Sequence, residues 1–311
     1  MSQKQTDSVS VIIPTNNRKK SLARTLNSIY KQSYPQEKLE VIIADNGSND
    51  GTVKMIEDKY SQVKLIQLKR NIGVPAALNI ALKKAKGKFI YQTNDDVVLD
   101  KNCLRQLMNL ANTNQDIGVV GGKLYFLNEP NKPMLPSFQV VLWLGYHPKK
   151  TKQNKPSETD VTTGACMLIR KSMINLIGNF DEKFGPYGAE DYEFCYRART
   201  AGFKVMHCPN AKVWVDDENI NQKAVPERLY GHYRGKFRFM LLYASLWHNL
   251  IFFPIQLTAG PVYCYLQSGK KTTLPMIKAL WWNIKNLKST LKDRSGLATL
   301  KNLKIGNEQL S

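Results

Sequence analysis

Cysteine is scarce in this 311-residue chain, and its spacing argues against two common uses of the residue. The five cysteines are Cys103, Cys166, Cys195, Cys208 and Cys264, and no two of them form a C-x-x-C pair. An odd number at irregular spacing disfavours a disulfide framework and a structural zinc site. The pattern is typical of a protein that folds in a reducing compartment.

The chain also lacks an apolar leader and the motifs of several enzyme classes. Its first ten residues, MSQKQTDSVS, are polar, so we predict no signal peptide and expect the catalytic part to stay in the cytoplasm. Neither a GxxxxGK[ST] phosphate loop nor a GxSxG nucleophile elbow occurs. Their absence disfavours P-loop nucleotide hydrolases and serine hydrolases.

Acidic residues are few relative to basic ones. Lys and Arg number 45 against 25 Asp and Glu, and the formal net charge is +20 at pH 7. This charge indicates an anionic partner, which could be a nucleotide, a nucleic acid or a membrane with acidic lipids. From Arg228 onward there are 13 basic and 2 acidic residues, and the same tail holds an uncharged, largely apolar run at 239–269. Basic charge beside an apolar run favours a membrane, and since no usual nucleic-acid motif occurs, we expect no nucleic acid.

Short apolar runs alternate with helical patterns through the first half of the chain. Strands are predicted at 9–13, 40–44, 63–68, 89–93 and 119–126, with a helix after each of the first four and Pro14 ending the first. This alternation predicts an α/β fold with a doubly wound, mainly parallel sheet. Ligands of such sheets bind beyond the carboxyl ends of the strands.

Carboxylates follow two of the predicted strands. Asp95 and Asp96 follow the strand at 89–93 in FIYQTNDDVVLD, and Asp45 follows the strand at 40–44. If both strands end at the same sheet edge, the three side chains face one crevice. Paired aspartates there suit Mg²⁺ or Mn²⁺, which removes their repulsion and can neutralise a diphosphate leaving group. A solvated pair of turn residues is the alternative, and the pattern leaves both open.

A second acidic pair, Glu190 and Asp191, stands at the start of a predicted helix at 191–201, in GPYGAEDYEFCYR. Acidic residues in a first helical turn interact favourably with the helix dipole, which is a structural explanation. A carboxylate in this place can also act as a general base that takes a proton from an acceptor hydroxyl.

Four segments, in order, resemble the inverting glycosyltransferases of family 2, which have the Rossmann-like GT-A fold. They are VSVIIPTNNR, VIIADNGSNDGT, RNIGVPAALNIALKKAKGKFIYQTNDDVVL and a last segment from TGACMLIRKS to HCPNAKV. The last segment is most similar to the subgroup that includes rhamnosyltransferases and related cell-surface glycan enzymes. The resemblance implies metal-dependent transfer from a UDP- or dTDP-sugar, with rhamnose among the candidate sugars, to a hydroxyl of a glycan or lipid-linked acceptor.

The resemblance also implies roles for single residues in one direct displacement with inversion. Asp191 would be the catalytic base, supported by Glu190, and Gly164 and Ala165 would lie beside the donor sugar and the acceptor. Asp96 would bind the metal, Mg²⁺ or Mn²⁺. The nucleotide of the donor would lie against Pro14, Thr15, Asp45, Asn71, Gly73 and Asp95.

One family feature is missing from this sequence. The family often has a histidine shortly after the segment that corresponds to PNAKVW, where this chain has Asp216. Asp216 is therefore the second candidate for the metal, and whether it binds one is left open. His207 is nearby but lies in a strand-like run, so a structural role is predicted for it.

The resemblance and the composition together predict the domain organisation. Residues 1–225 would form the GT-A catalytic domain: 1–127 bind the nucleotide-sugar, 128–160 form a long loop or lid, and 161–225 form the acceptor and catalytic half. Residues 226–311 would form a basic, apolar C-terminal helical extension on the cytoplasmic face of an anionic membrane.

The sequence of the C-terminal extension is compatible with three arrangements. Residues 239–257 are about long enough to span a bilayer, but Pro254 and several polar residues are costly at its centre. Interfacial helices are favoured over a span, and a packed helix pair or a homo-oligomer contact is the third alternative.

Two other functions fit parts of the sequence. A nucleotidyltransferase can share the sheet and the metal aspartates, but PTNNRKK after the first strand has no glycine where a phosphate loop is expected. A non-enzymatic protein that binds nucleic acid or membrane would account for the +20 charge.

Overall fold

The computed structural model describes residues 6–134, 137–142, 147–149, 154–186, 188–216, 225–268 and 270–302. The strands, numbered in chain order, are β1 (Val9–Thr15), β2 (Leu39–Asp45), β3 (Lys64–Gln67), β4 (Phe89–Gln92), β5 (Val97–Leu99), β6 (Ile117–Phe126), β7 (Ser137–Val141), β8 (His147–Lys149), β9 (Ser157–Glu158), β10 (Val161–Thr162), β11 (Met167–Arg170) and β12 (Lys204–Val215). The helices are α1 (Lys19–Tyr30), α2 (Thr52–Lys59), α3 (Val74–Lys84), α4 (Cys103–Ala111), α5 (Lys171–Ile177), α6 (Glu190–Thr200), α7 (Val225–Tyr243), α8 (Leu246–Leu257), α9 (Ala259–Ser268), α10 (Lys270–Lys285) and α11 (Leu287–Asn302).

The main sheet has nine strands within the described residues, eight of them in the order β3-β2-β1-β4-β11-β6-β12-β5, with β9 paired to β12. Strands β1 to β4 pair in parallel, as do β6 and β12. Strand β11 runs antiparallel between β4 and β6. The predicted α/β fold with a doubly wound, mainly parallel sheet is confirmed.

Both faces of the sheet are covered, as strands with continuous apolar runs require. Successive side chains of a strand point to opposite faces. In β1, Val11 and Ile13 pack in one core cluster with residues of α1, α2 and α4, whereas Ile12 packs in a second with residues of α3, α5 and α6. All three side chains are fully buried, and each burial contributes about 1.5–3 kcal/mol relative to exposure.

The prediction that Pro14 ends the first strand is wrong, because β1 continues to Thr15. The carbonyl of Ile12 accepts a hydrogen bond from Thr93, on the β4 side. Backbone groups alternate sides along a strand, so Pro14 faces the same side, beyond the last β1–β4 pair, Ile12 and Gln92. Its missing N–H therefore leaves no ladder bond unmade, which is where proline is tolerated in a sheet.

The prediction of a long loop at 128–160 is wrong for the part of it that the structure describes. Strands β7, β8 and β9 lie there, and β10, β7 and β8 form a second sheet. Phe138 is buried and packs edge-on against Tyr192, with ring centroids 5.1 Å apart. The Pro- and Lys-rich composition conceals these short strands, of which β7 pairs with β10, β8 with β7 and β9 with β12. Residues 135–136, 143–146 and 150–153 of the predicted lid lie outside the described residues.

The basic C-terminal part is helical, as predicted, from α7 to α11. Arg238 of α7 is 1% exposed and ties the extension to the rest of the fold. It donates hydrogen bonds to Asp181 at 3.1 Å and to Asp293 of α11 at 2.7 Å. Among the described helices, none combines the length and the apolar composition that crossing a bilayer requires.

Candidate active site

The first two strands bring three of the predicted residues together at the carboxyl edge of the sheet. Thr15 and Asp45 are the last residues of β1 and β2 and lie side by side in register. The hydroxyl of Thr15 donates a hydrogen bond of 2.6 Å to Oδ2 of Asp95, just beyond the end of β4. Asp45 and Asp95 therefore lie at the same edge of the sheet, on either side of Thr15, and Pro14 precedes Thr15 in β1.

Asp45 is almost fully buried at the end of β2, 2% exposed. Its Oδ2 accepts a hydrogen bond of 3.1 Å from the backbone N–H of Ser48. Its Oδ1 is buried and has no hydrogen-bond partner among the described residues. Because a buried acceptor without a donor is costly, this oxygen is suited to a polar N–H of a ligand.

Asn71 and Gly73 are held beside Asp45 by Asn46, a residue that the sequence analysis did not single out. The Asn46 side-chain amide donates to Oδ1 of Asn71 at 3.0 Å and to the carbonyl of Gly73 at 3.3 Å. Its Oδ1 accepts from the backbone N–H of Ile72 at 2.9 Å. Asn46 directly follows Asp45 at the end of a predicted strand, and this position in the sequence could have identified it.

Gly73 brings the loop at 71–73 into contact with the segment that precedes α6. Its φ is +92°, and a Cβ there would lie 3.0 Å from Cα of Pro186. The next residue, Val74, donates its N–H to the carbonyl of Pro186 at 2.6 Å. A glycine is thus required by both backbone conformation and space. The contact places the Asn71–Gly73 loop against the loop before Glu190 and Asp191.

The surroundings of Asp95 and Asp96 disfavour the negative charge of both carboxylates. Desolvation, and then the negative charge of Asp96, raise the pKa of Asp95 to about 7. Desolvation also raises the pKa of Asp96, and the charge of Asp216 adds to the rise while Arg18 opposes it. Oδ1 of Asp96 is buried without a hydrogen-bond partner among the described residues. Arg18, from PTNNRKK, is a cation of this site that the sequence analysis did not assign.

Asp216 lies beside Asp96 but is already engaged. Its backbone N–H donates to the carbonyl of Asp96 at 2.8 Å. Its carboxylate forms an ion pair with Arg24 of α1. Within the described residues, no group of three or more His, Cys, Asp or Glu side chains forms a metal-binding cluster.

Glu190 and Asp191 begin α6, and their carboxyl groups are desolvated. Desolvation raises the pKa of Asp191 to about 6. Desolvation, and then the charge of Asp191, raise the pKa of Glu190 to about 7. Glu190 Oε2 accepts a hydrogen bond of 2.8 Å from Gly188, which fixes the preceding turn. A carboxylate with a pKa near the working pH is suited to proton transfer.

Gly164 and Ala165 connect the two acidic pairs. The N–H of Gly164 donates to Oδ2 of Asp191 at 2.8 Å, and the carbonyl of Ala165 accepts from the hydroxyl of Thr93 at 2.8 Å. A Cβ on Gly164 would lie 2.2 Å from Nε2 of Gln92. Gly164 and Ala165 thus link Asp191 to the end of β4, the strand that Asp95 and Asp96 follow.

Helix α7 also contributes to the site, although the sequence analysis assigned it to the extension. A Cβ on Gly188 would lie 2.6 Å from the carbonyl group of Gly231, and one on Gly235 would lie 2.1 Å from the oxygen of Gly188. Desolvation raises the pKa of Asp96, and the positive charge of Arg228 opposes that rise. Desolvation lowers the pKa of His232, and the charges of Lys236 and Arg228 add to the decrease. Gly231 and Gly235 are one helical turn apart in α7, and this spacing could have indicated from the sequence that another segment approaches the helix closely.

The fold matches a solved structure of the expected architecture. The structure of GalNAc-T7 with UDP, GalNAc and Mn²⁺ aligns with a TM-score of 0.67 at 17% identity, and the match covers 92% of this chain and 58% of that chain. At this identity the likeness concerns the fold, and it confirms the predicted GT-A architecture.

Sequence comparison leads to the same family. The uncharacterized glycosyltransferase YfnE of Bacillus subtilis (strain 168) is 27% identical over 239 residues, 62% of this chain and 60% of the relative. Chondroitin synthase of Pasteurella multocida (strain Pm70) is 28% identical over 232 residues, 64% of this chain and 24% of the relative. This chain thus spans at most 60% of the length of these two curated relatives. Residues 10–178, more than half of the chain, match the family described as Glycosyl transferase family 2. The chain belongs to glycosyl transferase family 2.

Proposed function

We propose that this protein is an inverting glycosyltransferase that moves a sugar from a nucleoside-diphosphate sugar to an acceptor hydroxyl. The observation that carries the proposal is the position of the Asp191 carboxylate. It is held by the Gly164 N–H at 2.8 Å, and Gly164 lies against Gln92 at the end of β4, the strand that Asp95 and Asp96 follow. A base on one side of a crevice and a leaving-group site on the other is the arrangement that direct displacement requires.

Binding of the nucleotide is assigned to the edge formed by β1 and β2. The unpartnered Oδ1 of Asp45 can accept an N–H of the base. Pro14 and Thr15 form the adjoining strand end, and Asn71 and Gly73 form the wall that Asn46 braces. UDP and dTDP sugars are the proposed donors on the resemblance, and the ring N–H of uracil or thymine can donate to this carboxylate, as that of guanine also can. Rhamnose is one candidate sugar, on the resemblance of the last segment.

A divalent cation fits the charge of the site. Asp95 and Asp96 repel each other, and the buried Oδ1 of Asp96 has no partner among the described residues. We propose that Asp96 would hold Mg²⁺ or Mn²⁺, cations that are often bound by only one or two protein carboxylates together with a phosphate group of the substrate. Bound there, the cation would neutralise charge on the leaving diphosphate. Asp216 remains a second candidate ligand, and its ion pair with Arg24 would have to open for it to bind.

Asp191 is assigned as the general base. With its pKa at about 6, its carboxylate is deprotonated near neutral pH and can take the proton of the acceptor hydroxyl. The acceptor oxygen then bonds to the anomeric carbon as the bond to the diphosphate breaks, which inverts the configuration. Glu190 supports this role by fixing the turn at Gly188, and we propose that Gly164 and Ala165 lie beside the donor sugar and the acceptor.

A membrane surface is proposed as the place of action, with a glycan or lipid-linked acceptor used in cell-surface polysaccharide synthesis. Helix α8 buries Phe252 but leaves other large apolar side chains in solvent: Trp247 is 76% exposed and Leu250 54%. No charged residue occurs at 239–269, and lysines follow from Lys270. Apolar residues beside basic ones suit interfacial binding to an anionic leaflet, which we propose is the cytoplasmic one.

The test is a transfer assay with UDP- and dTDP-sugars, Mn²⁺ and extracted glycolipid acceptors. Released nucleoside diphosphate and the anomeric configuration of the product would be measured. The proposal predicts one product with inverted configuration and loss of its formation with Asp191→Asn. A product with retained configuration, or release of pyrophosphate from a nucleoside triphosphate, would contradict it.

A further inference from the structure

A groove of 540 Å³ lies between the first turn of α7 and one face of α10. Its volume is in the range of ligand sites, about 300–1,000 Å³. Tyr230, Leu274 and Pro275 contribute apolar walls, and Lys270, Lys271 and Lys278 line it as well. No residue assigned above to donor binding, metal binding or proton transfer lines this groove.

The lysines of the groove share one face of α10. Lys271 and Lys278 are seven residues apart, so they lie about 10 Å apart along the helix axis, with Leu274 between them. Residues three and four apart are neighbours on a helix surface. Among the described residues, none of the three lysines forms an ion pair. The exposed lining is almost wholly apolar, so the lysines line the groove mainly with their aliphatic stems. Three lysines against one carboxylate, Glu227, still give the residues around the groove a net positive charge.

The apolar wall of the groove continues onto the outer face of α10. Leu274 is 53% exposed, and further along the same helix Ile277 is 46% and Trp281 57% exposed. A small soluble anion would not contact these exposed apolar side chains of α10. A ligand that carries both a negative charge and a long apolar chain would bury them.

The start of α7 contributes residues both to the groove and to the surroundings of the candidate active site. Glu227 and Tyr230 line the groove. Arg228, between them in sequence, acts electrostatically on Asp96, and Gly231 packs against Gly188 before the candidate base. The start of α7 therefore connects the groove to the segment that precedes the candidate base.

We propose that this groove binds a phosphorylated lipid, with the phosphate or diphosphate at the lysines and the apolar chain along Leu274 and the outer face of α10. The proposal rests on the proposed function, for which this lipid is the acceptor carrier. It holds the acceptor by its anionic linkage, and the sugar to be extended reaches Asp191 across the first turn of α7. The specificity is thus for a phosphate attached to an apolar chain, and a lipid surface alone does not supply it.

The test compares direct binding of three probes in neutral phosphatidylcholine nanodiscs. They are a polyprenyl phosphate, the same polyprenol without phosphate, and phosphatidylglycerol at equal negative charge; inorganic pyrophosphate in solution is a fourth. The variants are Lys271→Gln/Lys278→Gln and Leu274→Ser. The matched control is Lys288→Gln/Lys292→Gln, which removes the same charge from exposed positions of α11.

Wild type and the control should bind the polyprenyl phosphate at least tenfold more tightly than any other probe, and each groove variant should lose at least tenfold. Equal binding of phosphatidylglycerol or pyrophosphate, or equal loss in the control, would overturn the proposal. Titration of the same preparations with UDP and Mn²⁺ tests the nucleotide site separately. Nucleotide binding without lipid selectivity would refute the groove alone, and lipid selectivity without nucleotide binding would refute the proposed function alone.

Discussion

The backbone N–H of Gly164 donates a hydrogen bond of 2.8 Å to Oδ2 of Asp191. It joins the turn before β11 to the first turn of α6. The second oxygen of Asp191 accepts from the N–H of Tyr192 at 2.9 Å. Both hydrogen bonds fix the orientation of the carboxylate. They also stabilise its charged form, which desolvation disfavours. The chemistry assigned to Asp191 depends on this fixed position.

Asp191→Asn should lower the rate of transfer about 10²–10⁴-fold, the contribution typical of a positioned base. Affinity for the nucleoside diphosphate should stay within about twofold, because Asp191 does not lie at the β1–β2 edge. Asp116→Asn, at an exposed position outside the site, is the control. Transfer at the wild-type rate by Asp191→Asn would remove Asp191 from the role of base.

The pH profile of transfer should rise through about pH 6. The pKa of Asp191 is raised to about 6, so its carboxylate is protonated and inactive below this value and active above it. Turnover should be measured from pH 5 to 8 at saturating donor and Mn²⁺, so that binding does not limit the rate. A profile that is flat over this range would contradict the assignment.

Asp95→Asn should stabilise the metal-free protein at pH 8 while weakening metal-dependent nucleotide binding. The folded state raises the pKa of Asp95 to about 7, so it favours the neutral form and loses stability as pH rises through that value. An amide removes this loss and still accepts the Thr15 hydrogen bond.

The expected increase in melting temperature is about 2–4 °C, which corresponds to about 1 kcal/mol in a domain of roughly this size. It should shrink towards zero at pH 4.5, where Asp95 is protonated in the folded wild type. Thermal unfolding in EDTA at both pH values measures it. A decrease at pH 8 would show that the two aspartates do not repel each other as described.

Gly73→Ala should weaken nucleotide binding at least tenfold, because a Cβ would displace the loop from Pro186. Gly202→Ala is a matched control, since Gly202 also has a φ of +92° and nothing lies within 4 Å of its added Cβ. Both variants should lose about 1–2 kcal/mol of unfolding free energy to backbone strain. Calorimetric titration with UDP and Mn²⁺ separates the two effects, and equal affinity of the variants would contradict the contact's role.

Trp247→Ser/Leu250→Ser should reduce co-sedimentation with anionic vesicles at least fivefold. Both side chains are largely exposed on α8, so the substitutions remove apolar area available to a membrane and leave the core intact. Leu176→Ser, at an exposed apolar position of α5, is the control. Unchanged sedimentation of the α8 variant would exclude this face from membrane binding.

Strand-end residues were predictable because their positions follow from short-range patterns. An apolar run followed by a polar residue locates Asp45 and Asp95, and parallel pairing then brings them to one edge. The register of Thr15 beside Asp45 follows from the same pattern. The GT-A fold and the family were recognisable because four such segments occur in a fixed order.

Contacts between distant segments could not be predicted in this way. The approach of Gly188 to Gly231 depends on how α7 packs. The sequence around neither glycine indicates that the other will be its neighbour. The ion pair of Arg24 with Asp216 joins α1 to the end of β12 for the same reason. The strands at 137–141 and 157–158 were concealed by a composition typical of loops.

The most direct test of the central claim is calorimetric titration of UDP, dTDP, GDP and CMP, each with and without Mn²⁺, on wild type and Asp96→Asn. The account predicts that UDP or dTDP binds wild type in a Mn²⁺-dependent manner and that Asp96→Asn loses this dependence. Equal binding by the variant, or binding by wild type that is indifferent to Mn²⁺, would contradict it.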